Sequence, residues 1–356
     1  MPLTIDQRNQ DMICIVDGQL VPRSEATVPV WDAGFLHGKQ IWSSPRLVRG
    51  RIFRFPDHLR KIQHGIRAIC GGTSNVTNDD LILATRQVLI ANQLQGATGV
   101  HIRILYTPGT QVTASLNRSA LVDWDGVTPS KPRIIVLPEW RDTTVFSTTG
   151  GGGLCAIVSQ LYRRPSPDYA DQRIHSNNQI HSSLACDEAH ARNAAVAILL
   201  DGDGYVAEAH ASHVALVKEG VLYTPYVKAC PPGVTRRVLL ELCATHGIEA
   251  HEDDIVVERL YDADEILILG TMSGPVAISH LDGRPVGTLG KEGEEEEDHD
   301  TAHTTVDNND NATHHTFRIG PVTQRLQALY QEALVDDKNL FDIFNENGVE
   351  EEEQQE

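Results

Sequence analysis

Over the first 140 residues the apolar positions switch repeatedly between a period near two and a period near 3.6. Met12 to Val16 and Gln19 to Pro22 read as a short hairpin across Asp17-Gly18. Gln40 to Val48 and Arg51 to Phe55 read as two strands around Arg49-Gly50. Asp57 then opens a helix, with Leu59, Ile62, Ile66 and Ile69 at helical spacing. A second helix starts at Asn78 or Asp79 and runs to about Ala91, and His101 to Tyr106 and Arg133 to Pro138 are strand-like. The pattern predicts a small α+β domain over residues 1-140.

Residues 141-153 end in the glycine run Thr148 to Gly153, which reads as a connection between domains. A larger domain is expected over 154-335. Ser182 to Ala195 has helical periodicity, Ala195 to Leu200 is a strand, and Asp201 to Gly204 is a turn signal. Val214 to Lys218 and Val221 to Thr224 form a hairpin across Glu219-Gly220. Gly233 to His246 is a helix ended by Gly247, Glu265 to Leu269 is an apolar strand, and Thr323 to Ala333 is the last clear helix. Residues 287-316 are rich in Glu, Asp, Asn, Thr and His. Such a segment buries too little apolar surface to offset its ordering entropy, so a disordered surface insertion is expected there. Residues 336-356 read as an acidic tail.

At roughly 150 residues per domain, a chain of 356 residues agrees with two domains. The formal net charge of -19 argues against a nucleic-acid partner, because phosphate binding needs clustered Lys and Arg. Much of that charge sits in Glu292 to Asp310 and Glu350 to Glu356, so it says little about any site. No apolar run approaches the roughly 20 residues needed to cross a membrane. The polar N-terminus lacks a signal-peptide core, and a cytoplasmic protein is the expectation. The six cysteines form no CxxC pair and read as reduced core thiols, and the histidines show no ligand spacing, so no metal site is expected.

Pro232-Gly233-Val234-Thr235-Arg236 opens a helix and offers free N–H groups and a dipole to a phosphate; an ordinary helix cap gives the same pattern. Gly270-Thr271-Met272-Ser273 follows a buried strand and offers further donors; a plain turn gives that pattern too. With Glu208 after the DGDG turn, the set gains specificity. The chain resembles the class IV pyridoxal-phosphate aminotransferases, the group of branched-chain and D-amino acid aminotransferases. The resemblance rests on VWDAGFLHG (Val30 to Gly38), GRIFRFPDHLRKI (Gly50 to Ile62), DQRIHSNN (Asp171 to Asn178), LLDGDGYVAE (Leu199 to Glu208), PPGVTRRVLLEL (Pro231 to Leu242), LYDADEILILGTM (Leu260 to Met272) and IGPVTQRL (Ile319 to Leu326).

That resemblance implies a two-domain α/β (α+β) architecture of fold type IV, a homodimer, and transamination between a branched-chain-like amino acid and a 2-oxo acid. The cofactor would be pyridoxal 5'-phosphate, whose ring serves as an electron sink. Glu208 matches the carboxylate beside the ring nitrogen. Val234, Thr235, Thr271 and the basic residue of the HLxR segment, here Lys61, match the phosphate holders, and Asn178 at the end of the lysine segment is also expected to bind the cofactor. His37, Trp42 and Arg46 fall in the substrate-pocket segment.

The chain departs from the family pattern at its chemical centre. The lysine that forms a Schiff base and moves the substrate α-proton falls on Arg173, or on His175 under an alternative gap placement. Arginine stays charged, since its pKa exceeds about 12, and histidine forms no stable imine. Covalent cofactor attachment is therefore in question. An impaired relative of the family, or a lyase or other reaction in the same pocket, stands as the alternative. The segment after Glu208 reads AHASH, with His213 near the place of the family asparagine, and Ser43 stands where an acidic residue is typical.

Overall fold

The computed structural model describes residues 6–72, 74–141, 153–287 and 318–345. Most of the expected insertion (287-316), most of the expected connection (141-153) and the last residues of the tail lie outside them. The chain divides into two compact units, and their make-up differs from a simple division in two. Unit 1 comprises Met1–Asp142, Ile174–Gln179 and Ala333–Glu356; unit 2 comprises Thr143–Arg173 and Ile180–Glu332.

Unit 1 contains strands β1 (Ile13–Val16), β2 (Gln19–Pro22), β3 (Ile41–Ser43), β4 (Arg46–Val48), β5 (Arg51–Phe53), β6 (Val100–Thr107) and β7 (Arg133–Trp140), with helices α1 (Ala33–His37), α2 (Phe55–Cys70) and α3 (Asn78–Ala91). The long antiparallel pair β6–β7 forms the sheet's spine, with β1–β2 on one side and β4–β5 on the other. Helix α2 begins two residues before the expected Asp57, because Pro56 in the first turn has its φ already set for a helix and needs no N–H partner there. Helix α3 starts as read, held by a reciprocal cap between Thr77 and Asp80. Ile62, Ile66, Leu81 and Val88 from these helices pack on Ile41, Leu47, Ile102 and Ile104 of the sheet.

The acidic-tail reading needs correction at its start. Leu340–Phe341 form a short strand that pairs with β5, and Ile343 is fully buried in the unit 1 core. The short apolar run Leu340, Phe341, Ile343 and Phe344 within an acidic stretch fits no single period, so only long-range pairing reveals it.

Unit 2 contains strands β8 (Leu154–Arg163), β9 (Val196–Leu200), β10 (Val206–Ala209), β11 (His213–Lys218), β12 (Val221–Pro225), β13 (Ala250–Asp253), β14 (Glu265–Gly270), β15 (Gly274–Leu281) and β16 (Arg284–Pro285). Its helices are α4 (Ile180–Ala191), α5 (Val234–Thr245), α6 (Val257–Tyr261) and α7 (Pro321–Val335), whose last turn passes into unit 1. The strand order is β10-β9-β8-β15-β14-β11-β12-β13, with parallel contacts at β8–β9, β8–β15 and β12–β13. Alternate residues of β11 point to opposite faces. Val214 and Leu216 join Ile266, Ile268 and Val276 on one face, whereas Ala215 and Val217 join Leu239, Cys243 and Leu326 on the other. Cover on both faces explains why Ile266 to Leu269 is an unbroken apolar run.

Candidate active site

In unit 2, Glu208 lies on β10, just past a register shift in its pairing with β9. It is 9% exposed, and its Oε1 is 3.2 Å from Nε of Arg164. Arg164 follows β8 and is itself buried. Its backbone N–H donates to Leu200 O, its Nε to Ala229 O at 2.7 Å, and its Nη1 contacts Nε2 of His181. Burial and the neighbouring Arg164 charge push His181 down to about 4. A neutral imidazole there accepts from the guanidinium on Nε2 and carries its proton on Nδ1. The carboxylate of Glu208 thus lies inside the protein beside a guanidinium that Ala229 O and His181 also hold.

His213 opens β11 opposite Leu269, so it stands beside the Gly270-Thr271 turn that ends β14. Gly233 caps the N-terminus of α5, and a Cβ on Gly233 would overlap the His213 ring. No side chain caps this helix, which leaves its first N–H groups for an anion. Thr235 is buried in the first turn. Arg236 next to it serves the fold: it is buried, donates to Thr224 Oγ1 and Pro225 O, and pairs with Glu252. Thr224 in turn donates to Val214 O, which locks α5 to β11 and β12. His210, in the AHASH segment, has its Nδ1 taken by the Ala197 N–H, and burial lowers its pKa.

The two residues read for the lysine position part company. Arg173 is exposed in unit 2, where its backbone N–H and its guanidinium clasp Asp171 at 2.9–3.0 Å. His175 belongs to unit 1. It stacks on Trp42 with ring centroids 3.8 Å apart, and its Nδ1 is 2.8 Å from Trp42 O. The Arg103 guanidinium also lies over the Trp42 ring, 4.3 Å from its centroid. Trp42 Nε1 donates to Ser176 O, and Asn178 donates to Gly38 O. These contacts tie 174–179 to β3. Arg46 is buried on β4, and His37 ends α1 with its Nε2 buried. Lys61 is half-buried on α2 beside His58, a histidine that burial and Lys61 push down to about 3. His58 shares a 2.8 Å hydrogen bond with Ser43, where an acidic side chain is typical of the resembled group. Sequence reasoning did not find Arg164 or His181. Each is separated from Glu208 by whole elements, and no local motif marks them.

A model of the family described as amino-transferase class IV matches residues 44–281. The chain belongs to the class IV aminotransferase family. It is 32% identical over 333 residues to branched-chain-amino-acid aminotransferase-like protein 1 of Arabidopsis thaliana, covering 92% of this chain and 52% of that protein. The chain thus spans about half the length of that curated relative. Two solved structures share the fold. The branched-chain amino acid aminotransferase of Escherichia coli superposes with a TM-score of 0.75 at 23% identity, covering 94% of this chain and 99% of that one. The branched-chain amino acid aminotransferase of Thermobaculum terrenum, in its PLP (holo) form, gives 0.70 at 22%, covering 92% and 95%. The fold type IV architecture expected from the motifs is therefore the architecture found.

The class IV site residues fit a pyridoxal-phosphate cofactor in two respects and depart from it in one. A buried, ion-paired carboxylate suits a protonated ring nitrogen, and an uncapped helix start beside Thr235 suits a phosphate. The segment 171–178 supplies no primary amine for covalent attachment.

Proposed function

We propose that this chain binds pyridoxal 5'-phosphate without a covalent link through Arg173 or His175, and that its reaction is transamination between an amino acid of the branched-chain type and a 2-oxo acid. The observation that carries this reading is the buried Glu208–Arg164 pair in a class IV fold. When bound, the cofactor supplies an electron sink for charge developing at the substrate α-carbon.

The protein's part is to bind, orient and hold charge. Glu208 would pair with the ring nitrogen and keep it protonated, with Arg164 holding the carboxylate in place. The N–H groups of Val234 and Thr235 would receive the phosphate, joined by Thr271 of the same unit. His37, Trp42 and Arg46 would shape the substrate pocket. Without a lysine at 173 or 175, proton movement falls to a weaker group, and turnover is expected to be slow compared with lysine-bearing relatives. The family resemblance also supports a homodimer.

An absorbance spectrum of the purified protein, with added pyridoxal phosphate and then borohydride, tests the reading. Saturable cofactor absorbance that dialyses away, with no borohydride-fixed adduct, is expected. A failure to bind cofactor at all overturns it. Arg173→Lys and His175→Lys, made separately, should reveal which position the lysine occupies: that variant alone gains a borohydride-fixed adduct and faster transamination. Cofactor binding with no measurable amino transfer in the natural chain would favour an impaired relative, consistent with Arg173 being held by Asp171.

A further inference from the structure

Three side chains from separate segments converge beside Arg164. A carboxylate oxygen of Glu208, a ring nitrogen of His213 and Sγ of Cys230 all lie within 4.8 Å of one another. Sγ of Cys230 is 4.0 Å from Nδ1 of His213. We propose that the cofactor-free protein binds one zinc-like divalent metal ion through Glu208, His213 and Cys230, and that metal and cofactor compete for Glu208.

The chemistry of the donors carries the idea. One thiolate, one imidazole and one carboxylate form a set suited to Zn²⁺, with a fourth position left for water. With metal–ligand bonds of about 2.0–2.3 Å, donors on one tetrahedral ion stand about 3.3–3.7 Å apart. The observed spacings reach that range through side-chain rotation of less than roughly 1–1.5 Å. The scaffold is stiff where it needs to be. Glu208 and His213 sit on adjoining strand segments, joined by the Ala209–Ser212 bridge. Cys230 is 1% exposed and precedes Pro231-Pro232, and Gly233 packs against the His213 ring.

Metal binding with loss of one thiol proton adds one positive charge to the site. On binding, the Cys230 thiol loses its proton to solvent and a metal–sulfur bond forms. A dication with one thiolate and one carboxylate is neutral, leaving Arg164 as a single nearby positive charge. Arg164 lies 3.2 Å from Oε1 of Glu208, and a carboxylate has lone pairs enough to serve a guanidinium and a metal together. Ligand deprotonation makes the affinity rise with pH. The metal site stands without transamination or cofactor binding, whereas the competition for Glu208 rests on the proposed cofactor reading.

The full chain, stripped of pyridoxal phosphate and metal, is titrated with Co²⁺ and with Zn²⁺. One equivalent of Co²⁺ should bind with a thiolate-to-metal absorption band, and Zn²⁺ should displace it. Cys230→Ser should abolish the band. His213→Asn should weaken Co²⁺ binding at least tenfold, and saturating pyridoxal phosphate should weaken it in the natural chain. Because Cys230→Ser alters a buried position, alkylation of Cys230 in the natural chain, followed by mass spectrometry, gives an independent reading; Zn²⁺ should slow it at least tenfold. No thiolate band, or Zn²⁺ binding that leaves Cys230 alkylation unchanged, overturns the proposal. If cofactor binds but metal does not, this inference fails and the cofactor reading survives; the reverse result separates them the other way.

Discussion

Glu208, Arg164 and His181 form a chain of charge and hydrogen bonding in which each group depends on the next. Removing the carboxylate takes away the anion beside the buried Arg164, so Glu208→Gln should reduce pyridoxal-phosphate affinity about 10- to 100-fold, read by absorbance titration. His181 makes the network sensitive to acid. Its folded pKa is about 4, against 6.5 for the unperturbed group, with burial the first cause and Arg164 the second. The unfolded chain therefore binds more protons between those values. The contribution of His181 to stability is full above about pH 6.5 and falls as the pH drops towards 4. His181→Asn should lose less stability between pH 7 and 5 than the natural chain, measured by urea denaturation at each pH. An equal loss in both would remove His181 from the account.

Elements fix these residues through their ends. Helix α5 brings its first turn to His213 only because residue 233 has no Cβ. Gly233→Ala should cost about 1–3 kcal/mol by overpacking and should also weaken cofactor binding, since the His213 ring and the helix start must separate. Urea denaturation and absorbance titration give the two readings; an unaltered stability would show that the ring moves freely. Helix α3 offers a contrast far from the chemistry. Its start at Asn78 or Asp79 was readable in the sequence, the structure adds the cap between Thr77 and Asp80, and Thr77→Ala should cost about 1 kcal/mol. A lower urea midpoint at unchanged slope, with cofactor binding intact, is the expected result.

For the molecule as a whole, unit 1 exposes Val28, Val30, Trp31 and Phe35, which is 70% exposed, close together in the chain. Together with the family resemblance, this supports a dimer. Light scattering on the purified chain should give twice 39.2 kDa, and Phe35→Asp should shift the mass towards the monomer. A monomeric natural chain would refute the dimer. Among the described residues no helix is long and apolar enough to cross a membrane.

Local pattern decided a large part of this protein. Helices α2, α3, α5 and α7, the β1–β2 and β11–β12 hairpins, and the apolar β14 all have periods or turn residues that act over a few positions, so they were legible within a residue or two. The short runs around Glu208, Thr235 and Thr271 were legible as the class IV family's pattern, which the family match over residues 44–281 bears out. Long-range contact decided the rest. Strands β8 and β15 pair in parallel across more than a hundred residues, and Leu340–Phe341 returns to β5. Arg164 reaches Glu208 from the end of another strand. The sequence offered no metal-ligand spacing because Glu208, His213 and Cys230 come from three segments that only the sheet and the α5 approach bring together. The sequence determined that Arg173 and His175 are not lysines. The structure holds Arg173 on Asp171, two residues away and within reach of local chain geometry, whereas it sets His175 on Trp42, 133 residues away, a contact that only packing decides.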